Sequence, residues 1–535
     1  MTQTLALIPK PQVMTVKQAV FPLRSDAVIT YPPGGENAAR LLQKLTGLAF
    51  AQDKGSIRLE FEATIQGEEA YQLDVDESGI CIAASTAAGL FYGAQTLRQL
   101  LPVELEVGTA TFPCDIPYIH IEDAPRFTYR GFMLDVSRHF FGPQEIKRLI
   151  DLLALQKINR FHWHLTDDQG WRIEIKKYPR LAEVGGFRKE SQVGGFLLSN
   201  AIFDGKPHGG FYTQDEVREI VTYAKANFIE VIPEIDSPGH AVAAMAAYPE
   251  LSCSGEPLEV RTSIGAFSRP LCAGKESVYE FLEDVFGEIV GLFPYKTIHI
   301  GGDEVNKKEW KKCPHCQRRK REFGLKTEND LQMYFENRIA KILKKKGCRV
   351  IGWNEVMHDD LDNDLINQFW FYFRKKETIK QLKKGRKTIV SDFGSLYLDY
   401  PYRVTELVKT YNFEPYFFEV TDAEAQAILG VEGALWSEYV DTRERMDWQM
   451  FPRFLAISEM AWTSRSGCNY DNFLARLEHF EKRLDVLGVH HATRACYMKY
   501  PDISKIPQFL RILLSREHPA LVEYQEYHPS YRSKE

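Results

Sequence analysis

Thr297-Ile298-His299-Ile300-Gly301-Gly302-Asp303-Glu304 compresses three signals into one short run. Its apolar, β-branched start reads as a buried strand. Gly301 and Gly302 permit a tight turn where that strand stops. Two consecutive carboxylates follow at once. Outward from this run, the order strand, loop, helix repeats in both directions. Strands are expected at 129–134, 158–165, 229–235, 297–300, 349–353, 367–371, 387–391 and 427–430. Helical spacing falls between most of them. The segment 213–226 opens with a Thr213/Glu216 capping box, and 328–346 is a second long helical run. Eight such units in about 340 residues predict an α/β protein built on a (β/α)₈ barrel with long insertions. Past the last strand, 471–487 places Phe473, Leu477, Phe480, Leu484 and Leu487 on one helical face, with Gly488 as the stop.

Before the barrel the pattern differs. Residues 57–61, 71–75 and 79–84 read as strands, and 86–101 as the one helical run among them. Pro113, Pro117 and Pro125 then punctuate an exit. The chain therefore divides into a small α/β accessory domain at 1–124, a barrel at 125–490 and a less regular tail at 491–535. The 535 residues are 44% hydrophobic, enough for substantial cores, which excludes a mostly disordered chain. With 67 Lys+Arg against 73 Asp+Glu the net charge is −6, so no global basic field invites nucleic acid. No apolar run of about 18 residues is present, so no membrane partner is expected. No signal peptide is visible at Met1, and the nine cysteines are odd in number and scattered. Both features point to reduced thiols in a cytoplasmic protein. Removal of a secretory signal would leave the same sequence.

Catalytic groups of such barrels stand at the C-terminal strand ends. Here the strands and their ends offer Arg130 and Asp135; then His162-Trp163-His164-Leu165-Thr166-Asp167-Asp168-Gln169-Gly170-Trp171; then Glu234-Ile235-Asp236-Ser237-Pro238-Gly239-His240. Next come His299 to Glu304, Trp353-Asn354-Glu355, Trp370, Tyr397 with Asp399, and Trp436 with Glu438. Aromatic faces stack on pyranose rings, while carboxylates and Arg bind hydroxyls, so this collection describes a sugar site. Asp303 and Glu304 sharpen it. Two carboxylates at close range cannot both ionise freely, so one is expected to titrate near neutrality. Sequence neighbours cannot easily flank a sugar from opposite sides, as the two carboxylates of an ordinary retaining glycosidase do. That geometry suits a nucleophile supplied by the substrate.

His299-Ile300-Gly301-Gly302-Asp303-Glu304 resembles the signature of glycoside hydrolase family twenty, the β-N-acetylhexosaminidases. The resemblance extends in order through Tyr129 to Asp135, His162 to Trp171, Pro233 to His240, Gly352-Trp353-Asn354-Glu355, Tyr397-Leu398-Asp399 and Leu435-Trp436-Ser437-Glu438. Ala88-Gly89-Leu90-Phe91-Tyr92-Gly93 resembles the family's accessory domain, so the likeness covers about residues 5 to 490. It implies removal of terminal β-linked N-acetylhexosamine from glycans, with retention, through an oxazolinium intermediate. Glu304 would be the general acid and then base. Asp303 would orient the 2-acetamido group, and Tyr397 would donate to its carbonyl. Trp353, Trp370 and Trp436 would wall the acetamide pocket, flanked by Trp163 and Trp171. Arg130 and Glu438 would bind ring hydroxyls, Asp399 the 6-hydroxyl, and Asp167 would support Arg130. Asp236, His240 and His299 would stand behind the acid. No cofactor or metal is implied, and a homodimer is the assembly the family suggests. One departure is expected to matter: Leu407 occupies, by gapless counting, the place of a further site Trp, leaving that wall aliphatic or closed by a Tyr such as Tyr402.

Some residues also carry rival readings. His162 and His164 share a strand face and resemble the His-x-His of zinc-dependent barrel hydrolases, with His240 and Asp303 as further ligands. The plainer reading is a packed hydrogen-bonding network. Cys313-Pro314-His315-Cys316 is a Cys-x-x-Cys whose zinc or redox reading is weakened by the lack of a second pair near it in sequence, and Cys253 and Cys272 read as free thiols, or as a loop disulfide in an oxidising compartment. The basic stretch Lys307 to Lys346 reads as the solvated faces of outer helices. A sugar-binding protein on a dead barrel would lack Asp303 or Glu304, and both are present.

Overall fold

The computed structural model describes residues 5–195, 201–265, 268–416, 420–498 and 519–528. Its first domain is a seven-stranded sheet in the order β1-β7-β5-β6-β4-β2-β3. The strands are β1 Val13–Leu23, β2 Val28–Thr30, β3 Ala49–Phe50, β4 Ile57–Phe61, β5 Tyr71–Asp76, β6 Gly79–Ala84 and β7 Cys114–Asp123. Two helices, α1 Glu36–Thr46 and α2 Ala87–Leu100, accompany it rather than the single one expected. The Thr86 hydroxyl caps α2 by accepting from the Gly89 amide. The β5 strand alternates buried and half-buried residues, so one row of side chains enters the core.

Eight parallel strands then close into a barrel: β8 Tyr129–Asp135, β9 Arg160–His164, β10 Glu230–Glu234, β11 Thr297–His299, β12 Arg349–Trp353, β13 Ile366–Phe369, β14 Thr388–Val390 and β15 Ile428–Leu435. All eight coincide with expected strands to within a few residues. The largest difference is β15, which runs on to Leu435 and pairs along its length with β8. The Thr213 capping box forms, starting helix Gln214–Ala226. Helix Tyr470–Val486 ends before Gly488, whose φ of 66° is the left-handed conformation favoured by glycine. Among the described residues, no helix is long and apolar enough to cross a membrane.

The two domains are joined by buried charges. Arg130, at the start of β8, makes paired hydrogen bonds of 2.7 and 2.9 Å to Glu69 and lies over the Trp462 ring. Lys157 pairs at 2.9 Å with Asp123, which also accepts from the Trp462 indole. Most of the tail lies outside the described residues. Its helix Pro519–Tyr527 carries the buried Glu523, which accepts from the Tyr402 and Arg403 amides. The Cys-x-x-Cys expected to lack a second pair meets one in the fold: Cys253 and Cys272 gather with Cys313 and Cys316 in one cluster. Folding brings the second pair to the Cys-x-x-Cys from about 40 to 60 residues upstream, which spacing cannot show.

Candidate active site

The C-terminal mouth of the barrel holds a cavity of about 160 Å³ lined by Arg138, His240, Asp303, Glu304, Trp370, Tyr397, Asp399, Tyr400, Trp436 and Glu438. The turn after β11 aims two of these groups. Gly301 and Gly302 have φ of 71° and 98°. A Cβ on Gly301 would meet the Asp236 carboxylate at 1.7 Å, and one on Gly302 would meet Val356 at 2.2 Å. Glycine is required at both positions for conformation and for space. Glu304 itself adopts a φ of 50°, a conformation costly for a side-chain-bearing residue. Asp236 accepts from the Gly302 amide at 3.1 Å, and Glu355 accepts from the Glu304 amide at 3.2 Å, holding the turn open.

The two carboxylates share one imidazole. His240 Nε2 lies 3.4 Å from Glu304 and 3.7 Å from Asp303. Its Nδ1 lies 3.1 Å from Asp167. Burial opposes charge on His240, but Asp167 and Asp303 overcome it and raise its pKa well above the ordinary value. Behind it runs a chain of ion pairs into the barrel interior. His164 bridges Asp167 and Glu234, and His162 bridges Glu234 and Glu432 at 3.1 and 2.9 Å. Glu234 also accepts from the Trp353 indole at 2.8 Å and pairs with His299 at 2.9 Å. Burial pushes the Glu234 carboxyl up, yet His299, His164 and His162 together hold it well below the usual range. Both rings of the His-x-His pair are thus held by carboxylates inside the barrel.

Asp303 is pushed up to about 6, mainly by burial, with Glu304 adding repulsion and His240 pulling the other way. Burial and the Asp303 charge push the Asp236 carboxyl well above its ordinary value. Burial and Glu438 do the same to Asp399. Asp303 Oδ1, Asp399 Oδ1 and the Trp370 indole nitrogen are buried with no hydrogen-bond partner among the described residues. Polar atoms left bare in a cavity lining are positioned to meet polar groups of a ligand. The aromatic side is continuous: Tyr397 lies parallel to Trp370 at 6.2 Å and 6.1 Å from Trp436, which is 6.0 Å from Trp353.

Most expected residues therefore converge. Asp303, Glu304, Tyr397, Trp370, Asp399, Trp436, Glu438 and His240 line the cavity, while Trp353, Asp167, Asp236 and His299 are buried behind it. Arg130 does not belong there. It is the second residue of β8, and five residues of strand, about 17 Å, separate it from the strand's mouth end at Asp135. The arginine at the mouth is Arg138, on the loop after β8. It pairs with Asp167 at 2.7 Å and Asp135 at 3.1 Å, approaches Glu438 at 4.0 Å and lies over the Trp436 ring. Asp167 supports this arginine and not Arg130. The signal available was position: an arginine three residues past a strand end faces the mouth, and one at a strand start cannot.

Leu407 does not line the cavity. It is fully buried in helix Leu407–Asn412. Tyr402 is equally remote, its hydroxyl donating to the Trp448 and Phe451 carbonyls. The tyrosine on that side of the cavity is Tyr400, parallel to Tyr397 within 17°. Nor do Trp163 and Trp171 reach the cavity. Trp163 packs on Tyr212 at 4.6 Å, and the Trp171 indole donates to the Ile173 carbonyl. Glu355, pushed up to about 7 by burial and then by Asp303 and Glu304, is a further carboxyl at this mouth that was quoted in sequence without a role.

Residues 127–465 match glycosyl hydrolase family 20, catalytic domain, and residues 4–124 match glycosyl hydrolase family 20, domain 2. The chain is 43% identical over 438 residues to a beta-hexosaminidase of Porphyromonas gingivalis, covering 79% of this chain and 54% of that protein. It thus spans about half that relative's length. A beta-hexosaminidase of Vibrio furnissii is 37% identical over 477 residues, covering 85% of this chain and 76% of its own. Among solved structures, the exo beta-N-acetylglucosaminidase of Vibrio harveyi in complex with N-acetylglucosamine superposes with a TM-score of 0.82 at 33% identity, covering 92% of this chain and 79% of the other. The Streptomyces plicatus N-acetyl-beta-hexosaminidase in complex with Thio-NAglucal gives 0.81 at 34% identity, covering 92% and 97%.

Proposed function

Because the chain belongs to glycosyl hydrolase family 20, we propose that it removes terminal β-linked N-acetylhexosamine from glycans by substrate-assisted catalysis with retention. The observation that carries this reading is the placement of Asp303 and Glu304 on one turn, sharing His240, with Tyr397 and the tryptophans lining the same cavity. Carboxyls so joined act from one side of a sugar, so the nucleophile on the other side is the substrate's own acetamide oxygen.

Glu304 is the more exposed of the pair, its side chain 24% accessible against 10% for Asp303. Glu304 is therefore placed to protonate a leaving oxygen toward the mouth, and then to take a proton from water. Asp303, deeper and ionised above about pH 6, accepts from the acetamide N–H and balances the positive oxazolinium. Tyr397 donates to the acetamide carbonyl. Trp370 and Trp436, with Trp353 packed behind Trp436, hold the acetamide in a near-attack position. Arg138, Glu438 and Asp399 meet ring hydroxyls. Cytoplasmic residence and a homodimer fit this reading as further proposals.

The test is turnover of an aryl β-N-acetylglucosaminide with the anomer of the product followed by NMR. A β product and strong inhibition by a thiazoline analogue of the oxazolinium are expected. Glu304→Gln should lose most activity on substrates with poor leaving groups, and Asp303→Asn on all N-acetyl substrates, by about 100-fold or more. An α product, or near-normal turnover by Asp303→Asn, would overturn the mechanism.

A further inference from the structure

We propose that Cys253, Cys272, Cys313 and Cys316 form a structural tetrathiolate site for one zinc ion, separate from the sugar cavity. Cys272 Sγ lies 3.7 Å from both Cys313 Sγ and Cys316 Sγ, and Cys253 Sγ lies 3.9 Å from Cys316 Sγ. All four sulfurs lie within 4.8 Å of one another. Zinc holds thiolates at about 2.3 Å in a tetrahedron, whose edges are then about 3.8 Å. The observed spacings fall on that value and far from the roughly 2.05 Å of a disulfide. Cysteines used only as small apolar core residues would pack against carbon, with no reason to gather in fours.

Three separate segments are built to deliver these sulfurs. Cys253 follows the turn at Pro249–Leu251, and Cys272 is tied to it by its amide, which donates to the Leu251 carbonyl at 2.9 Å. Lys275 Nζ reaches the Glu250 and Ser252 carbonyls at 2.9 and 2.6 Å. Cys313 caps helix Pro314–Glu322, and Cys316 lies in its first turn, where the helix dipole favours thiolate. The backbone beside Cys272 presses directly on this turn: a Cβ on Gly274 would lie 2.2 Å from the Cys316 nitrogen. Arg319 donates to the Gly274 carbonyl at 3.1 Å. With four thiolates on a divalent ion the site carries two net negative charges, and Lys275, whose ammonium reaches the Ser252 carbonyl next to Cys253, places a cation near it.

The site's place explains its use. Cys313 follows Glu304 by nine residues, and the Trp310 indole between them donates to the Leu271 carbonyl at 2.9 Å. The Leu271 amide in turn donates to the Pro238 carbonyl at 2.8 Å, in the loop that carries His240. The ion would therefore staple the two loops holding His240 and Glu304 without touching the substrate. Binding displaces thiol protons to solvent and needs no change of oxidation state.

Elemental analysis of the full chain, purified under reducing conditions without chelator, should find about one zinc per chain. Exchange with Co(II) should produce the intense visible absorption of tetrahedral cobalt thiolate. A mercurial thiol reagent should release the zinc, and stripped protein should melt several degrees lower until zinc is restored. Cys272→Ser with Cys316→Ser should abolish metal binding, whereas Cys468→Ser, outside the cluster, should not. If the double variant fails to fold, the wild-type stoichiometry and cobalt spectrum decide. Substoichiometric zinc with no cobalt thiolate band on reconstitution overturns the site. So does a disulfide among the four cysteines in protein kept reduced.

Discussion

Asp303 and Glu304 are adjacent in the chain yet meet different surroundings, and the tasks proposed for them rest on that difference. Asp303 is deeper and titrates near 6 because burial penalises its charge, with Glu304 adding to the penalty. Under the proposed mechanism the ionised form balances an oxazolinium, so kcat/KM should rise with pH through an apparent pKa near 6. A pH–rate profile flat from about pH 5 upward would contradict that role. Arg138 is tested differently. Arg138→Ala removes the guanidinium that Asp135, Asp167 and Glu438 share, and leaves Asp167 only its His164 and His240 partners. A hydrogen bond from a charged group to substrate contributes about 1.5–3 kcal/mol, so kcat/KM should fall about ten-fold or more, measured on a simple aryl glycoside. A loss of only a few-fold would remove Arg138 from the sugar-binding set.

At the scale of elements, β9, β10, β11 and β15 carry the acids and imidazoles that make the barrel interior polar. Burial disfavours the His162 cation, but Glu432 and Glu234 outweigh it and raise His162 to about 9 from an ordinary 6.5. A group raised on folding stabilises fully below its unfolded pKa, so this contribution is complete below pH 6.5 and is lost as pH climbs through about 9. Urea unfolding should show stability falling over that window, and His162→Gln should flatten the fall. Equal slopes in both proteins would show that His162 is not charged in the fold. The strands themselves were legible because a buried parallel strand is a short apolar run. Helix α1 and strand β1 were missed for converse reasons. The α1 helix has no side-chain cap at Gly35, and β1 exposes nearly every residue, leaving no apolar alternation to read.

At the scale of the whole molecule, the accessory domain is fastened by Arg130 to Glu69 and by Lys157 to Asp123. Arg130→Ala breaks a buried pair, a loss of about 3–5 kcal/mol. It should lower the calorimetric Tm while leaving KM for the sugar within about two-fold. A large rise in KM at unchanged Tm would return Arg130 to the sugar site. The docked helix Pro519–Tyr527 adds another brace, since Glu523 holds the Tyr402 and Arg403 amides just beyond Tyr400.

The sequence by itself determined the barrel, the accessory domain, the Asp303-Glu304 pair and most residues of the cavity, because these depend on local periodicity and on short runs at strand ends. Tertiary structure alone decided which arginine lies at the mouth, that Leu407 and Tyr402 lie in the core while Tyr400 lines the cavity, and that Asp303 is the deeper acid. It alone brought Cys253 and Cys272 to Cys313 and Cys316. The physical reason is common to all of these. Each depends on which end of an element a side chain occupies, or on contacts between segments far apart in the chain, and neither leaves a mark in local spacing.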